Sequence, residues 1–159
     1  MLFARKKFDP EPTEPIGVML ATASDSFSDA AIRTVINEAA GRPVSVLAIL
    51  RVYGSQFGLP NPGLLPNKQE REKAYGVMEE AMAKLEDAGL EVDGQIAITR
   101  AIAKKITEMT VLRQATVLVM DDSPEIGLRR KMEGDITGGI AKRLPSSVKF
   151  CLLHPAKHS

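Results

Sequence analysis

One cysteine, Cys151, is all the chain contains, so no disulfide framework can form, which suits a reducing cytoplasm. Cys151 lies in an apolar run and reads as a small buried hydrophobe rather than a reactive thiol. Net charge is nearly nil: 21 basic residues against 20 acidic ones leave +1. That balance gives the chain as a whole no electrostatic hold on nucleic acid or anionic lipid. Long apolar runs are missing too, since the longest, around residues 115–120, stops at Asp121 and Asp122, short of a membrane span. Arg5, Lys6 and Lys7 are not followed by an apolar stretch resembling a signal sequence. Common enzyme signatures are absent: there is no Walker loop, GxGxxG, GxSxG elbow, HExxH or CxxC. His154 and His158 stand near the C-terminus with no partner at catalytic spacing. The expectation is a soluble cytoplasmic protein that is not an enzyme.

What is present is the balance of an ordinary globular domain, 159 residues with 44% apolar and 26% charged side chains, enough to bury one core. Residues 1–14 mix two prolines with charge and read as an extended tail; residues 15–155 read as one domain. IGVMLATA (16–23) is an unbroken apolar run of strand length, as a strand covered on both faces requires. Ser24, Asp25 or Ser26 is placed to cap a helix carrying Phe27, Ala31, Val35 and Ala39 at helical spacing, with Gly41 ending it. PVSVLAILRVY (43–53) is a second apolar strand, and the Gly- and Pro-rich stretch after it is a long loop.

A helix over 68–88 carries the stripe Ala74, Val77, Met78, Ala81, Leu85 and Ala88 before Gly89. LEVDGQIAIT alternates apolar and polar residues, the pattern of a half-exposed strand near a sheet edge, and Thr99 is placed to cap the next helix, 100–113. ATVLVM (115–120) is another apolar strand, a loop spans 121–135, a helix follows to Leu144, and VKFCLLH makes a final strand. Alternating strands and helices predict an α/β, doubly wound, five-stranded parallel sheet of order 3-2-1-4-5 with helices on both faces. Ligands in such sheets bind outside the carboxyl ends of the strands where the winding reverses. Function is therefore expected at 23–26, after the first strand, and at 121–135, after the fourth.

Those two segments and the element order resemble the universal stress protein family over about residues 15–154. Members open with a strand ending in Asp-Gly-Ser before an Ala-rich helix; here Ala23, Ser24 and Asp25 stand in place of that tripeptide. Members then carry a strand ending in Met-Gly, a glycine-rich loop with a short basic stretch, and Gly-Ser or Gly-Thr at a helix start. VLVMDDSPEIGLRRKMEGDITGGIAKRL has that arrangement, so the resemblance marks Met120, Gly127, Arg129, Arg130 and Ile136 as residues of a nucleotide-binding loop. In nucleotide-binding members the pattern is Gly-x2-Gly-x9-Gly-Ser/Thr, because glycines let backbone N–H groups reach phosphate oxygens. The four positions here are Asp121, Pro124, Gly134 and Asp135, so one glycine is kept. Pro124 has no N–H to give, and Asp135 places a carboxylate at a helix start.

The resemblance with this degenerate loop implies a non-catalytic, stress-associated regulatory or accessory protein acting through an unidentified partner protein, with binding of ATP or AMP weak or absent and no cofactor required. It also implies a homodimer formed through the final strand, as in many members. An ATP- or AMP-binding sensor module is the second reading. The third is a Mg²⁺-dependent phosphoacceptor or phosphotransfer domain using Asp25, Asp121 or Asp122, although no Lys follows the last strand except Lys157 in the tail. The basic run Arg129, Arg130 and Lys131 reads as a solvated turn or as a grip for an anion.

Overall fold

The computed structural model describes residues 14–22, 27–51, 68–121 and 136–153. Among these residues nine elements follow one another: β1 (Val18–Thr22), α1 (Asp29–Ala39), β2 (Val44–Arg51), α2 (Lys68–Asp87), β3 (Val92–Thr99), α3 (Ile102–Leu112), β4 (Val117–Asp121), α4 (Ile136–Arg143) and β5 (Lys149–Leu153). All strand pairings are parallel, and the order across the sheet is β3-β2-β1-β4-β5. This is the expected doubly wound sheet.

The two strands read as unbroken apolar runs are the central ones. β1 and β4 are buried at all five positions each, because helices cover both sides. Successive side chains point to opposite faces, so one strand feeds two cores. Val18 and Leu20 of β1 and Val117 and Val119 of β4 pack with Val35 of α1 and with Met78 and Leu85 of α2. Met19, Leu118 and Met120 join Leu47 of β2, Ile106 of α3 and Ile140 of α4 on the other side. The alternating strand β3 lies at one edge and β5 at the other, as their partial polarity predicts.

Helix ends depart from the sequence reading in instructive ways. The cap of α1 is Ser28, beyond the expected Ser24, Asp25 and Ser26; its backbone is extended and its Oγ accepts the Ala31 N–H at 3.0 Å. Phe27 accordingly precedes the helix and packs part-buried against the core instead of forming its first turn. Ala40 takes the left-handed conformation (φ 49°) and Gly41 follows at φ 82°, so the termination assigned to Gly41 is shared between the two. Thr99 accepts the Ala101 N–H at 3.0 Å, but Ala101 holds the N-cap position of α3 and gives it no side-chain cap. Gly17 is required by close packing: a Cβ there would stand 2.7 Å from the Cβ of Arg42. Arg42 in turn donates to the Glu38 and Ala39 carbonyls at the end of α1 and to Thr116 Oγ1.

The amino ends of the strands hold a buried ion pair. Ser45 and Asp93 are register partners across β2 and β3. Arg113, just past α3 and 1% exposed, donates from Nη1 and Nη2 to the two Asp93 carboxylate oxygens at 3.2 and 2.7 Å. Nη1 also donates to Ser45 Oγ at 3.1 Å and Nε to the Glu14 carbonyl at 2.7 Å. This guanidinium joins α3, two strands and the chain entering β1 at the end of the sheet away from the expected ligand side.

Candidate functional site

The winding reverses between β1 and β4, whose carboxyl ends are Thr22 and Asp121. A crevice beyond those ends is the expected place for a ligand. Of the residues the sequence assigns to it, Ala23, Ser24, Asp25, Pro124, Gly127, Arg129, Arg130, Gly134 and Asp135 lie outside the described residues, as does Asp122. The long loop 54–67 and the N-terminal tail through residue 13 lie outside them too. Met120, Asp121 and Ile136 are described, and their surroundings differ.

Met120 is fully buried and Ile136 is 4% exposed, and both belong to the core between the sheet and α3 and α4. Their side chains are packing groups, which leaves only their backbone to face a ligand. Asp121 continues the β4 alternation of Val117 and Val119, so its carboxylate turns to the α1 side of the sheet. There it is 6% exposed and meets the start of α1. Oδ2 accepts the Ser28 backbone N–H at 3.0 Å, and Oδ1 accepts the Ser28 hydroxyl at 2.6 Å. Ser28 Oγ then accepts from Ala31 N–H, so a relay runs from strand end to helix. A carboxylate at a helix N-terminus is also favoured by the exposed N–H groups of the first turn.

This placement bears on the metal reading. A carboxylate whose two oxygens each accept a hydrogen bond from the protein is a poorer cation ligand than a solvated one, and among the described residues no group of three or more His, Cys, Asp or Glu could hold a metal ion. Cys151 is part-buried against the α1 and α2 side of the core, and burial pushes its thiol up from the ordinary value. That fits the expected inert side chain. Among the described residues no helix is long and apolar enough to cross a membrane.

A second concavity escaped sequence reading. A groove of about 320 Å³ opens between the start of α3 and α4, lined by Arg100, Ala101, Ile102, Ala103, Lys104, Ile136, Gly139 and Arg143. Its basic residues come from two stretches of sequence, Arg100 and Lys104 at the start of α3 and Arg143 at the end of α4, so no charge run announces them.

No family model matches the chain, and no curated protein matches it by sequence. Among solved structures it is similar to the protein MJ0577, at 18% identity over 89% of this chain and 97% of that one, with a TM-score of 0.67. It is similar also to a universal stress protein from Archaeoglobus fulgidus, at 14% identity over 87% and 93% of the two chains, with a TM-score of 0.64. A universal stress protein family protein from Arabidopsis thaliana with AMP bound matches at 15% identity over 89% and 93%, with a TM-score of 0.56. The chain therefore has the fold of the universal stress proteins, over nearly the whole length of each neighbour.

Proposed function

We propose that this chain is a non-catalytic, universal stress protein-like regulatory or accessory protein that acts through a partner protein, with adenine nucleotide binding weakened or lost. The AMP carried by the Arabidopsis thaliana neighbour supports a nucleotide ancestry for the site. The observation that carries the reading is Asp121: a negative charge fixed by Ser28 at the carboxyl end of β4, where a phosphate-binding loop of this kind begins with glycine. A fixed carboxylate there opposes an incoming phosphate, and the sequence adds Pro124, which offers no N–H.

Loss of one charge-assisted hydrogen bond costs about 1.5–3 kcal/mol, so two or three such losses take a micromolar site to about millimolar or weaker. Calorimetric titration with ATP, AMP and Mg²⁺ is expected to show no saturation below about millimolar nucleotide. Micromolar ATP binding would replace this reading with the sensor module, and Mg²⁺-dependent phosphorylation of an aspartate would replace it with the phosphoacceptor.

The same reading includes self-association through β5. Among the described residues no strand pairs with its outer edge, and Val148, Phe150 and Leu152 are only partly covered by the core beneath them. Light scattering at micromolar protein is expected to give a dimer mass, and Phe150→Glu to give a monomer. A wild-type monomer under those conditions removes self-pairing from the proposal.

A further inference from the structure

The groove between α3 and α4 shares only Ile136 with the candidate loop residues, and among the described residues its chemistry is one-sided. Three cationic side chains line it, Arg100, Lys104 and Arg143, and among the described residues no acidic one does. Among the described residues, neither Arg100 nor Arg143 has a carboxylate partner. Lys104 Nζ stands 4.0 Å from Glu108 Oε1 on a solvent-exposed helix face, an ion pair too long and too wet to hold the ammonium in place.

The groove also has a shaped floor. A Cβ on Gly139 would come within 3.2 Å of Ala103 Cβ and 3.2 Å of Arg143 Nη1. The missing side chain thus lets α4 sit close to α3, and it lets the Arg143 guanidinium fold back along its own helix toward the groove. A larger residue at 139 would occupy that space. Ala101 adds no side-chain cap at the start of α3, so the N-cap position supplies no side-chain acceptor to the first-turn N–H groups of Ile102, Ala103 and Lys104, which line the groove.

We infer that this groove binds a small anion bearing a phosphoryl group, gripped by Arg100, Lys104 and Arg143 over the small floor residues Ala103 and Gly139. Guanidinium and ammonium groups suit phosphoryl oxygens, Arg through its paired N–H donors and Lys as a mobile point charge. A volume of about 320 Å³ stands at the small end of ligand pockets, which favours a mono- or diphosphate with little organic substance attached. The cations that grip it, Arg100, Lys104 and Arg143, are none of the residues assigned to the nucleotide loop, so the inference does not rest on ATP binding there.

The test uses the full chain, with inorganic pyrophosphate as the probe and adenosine as a control that lacks the phosphoryl group. Pyrophosphate is expected to move the backbone amide NMR signals of Ile102, Ala103 and Lys104 saturably, and adenosine to leave them in place. Added salt should weaken the effect. Arg143→Gln and Lys104→Gln are each expected to weaken the apparent affinity roughly tenfold, the scale of one charge-assisted contact. Both side chains are on the surface, so amide dispersion elsewhere in the spectrum reports that the variants keep the fold. Unmoved signals at the start of α3, or unchanged affinity in the double variant, would overturn the inference. AMP moving these three amides as pyrophosphate does would place the phosphoryl of an organic phosphate in the same grip, whereas a response to pyrophosphate alone would restrict the groove to inorganic anions.

Discussion

Arg113→Met is expected to lower the free energy of unfolding by about 3 kcal/mol, the lower part of the range for breaking a buried ion pair by removing one partner. The guanidinium is 1% exposed on its side chain and Asp93 is 32% exposed, so the orphaned carboxylate retains some access to water and the loss stays short of the maximum. Beyond the pair itself, the substitution removes the donors that hold Ser45 Oγ and the Glu14 carbonyl. Urea unfolding followed by circular dichroism reads the change as a lower midpoint at an unchanged slope.

The companion variant Arg113→Met with Asp93→Leu separates charge from packing. If the cost comes from leaving a carboxylate uncompensated, the double variant recovers most of the stability, because an apolar replacement of both partners is often neutral. A single variant within about 0.5 kcal/mol of the wild type would mean that the site is a solvated surface pair, contrary to the burial described here.

How far the sequence announced this architecture depends on where each element's partners lie. β1 and β4 are legible because a strand covered on both faces must be apolar at every position, and that demand is visible within five residues. β3 is legible as an edge strand from its alternation. Arg113 is not, because an arginine after a helix reads as a solvated cation until Asp93 and Ser45 are seen opposite one another in register. The start of α1 fails for the same reason. Three good capping residues precede Ser28, and what selects Ser28 is a carboxylate 93 positions away. The groove between α3 and α4 was likewise invisible, since Arg143 lies far along the chain from Arg100 and Lys104 and meets them only when the two helices pack through Ala103 and Gly139.

Asp121 has moved furthest between the two readings, and it yields the second large expected effect. From sequence it is a lost glycine, a defect in a phosphate loop. In the structure it fastens the end of β4 to the start of α1, so restoring the glycine removes a structural contact. Asp121→Gly strips the acceptor from both the N–H and the hydroxyl of Ser28 and adds backbone freedom at a strand end. Two charge-assisted hydrogen bonds to a buried carboxylate, offset by water reaching part-buried Ser28, put the expected loss at about 2–3 kcal/mol. Asp121→Asn keeps one acceptor oxygen but turns an amide N–H₂ toward a donor, so about half of that loss is expected. Ser28→Ala removes the cap of α1 as well and should cost about 1–2 kcal/mol. Combining Ser28→Ala with Asp121→Asn is expected to cost clearly less than the sum of the two, with an interaction energy of about 1 kcal/mol in the double-mutant cycle. Strict additivity, or an Asp121→Gly variant as stable as the wild type, would show that the relay from β4 to α1 contributes nothing and would return Asp121 to the role of a bare loop substitution.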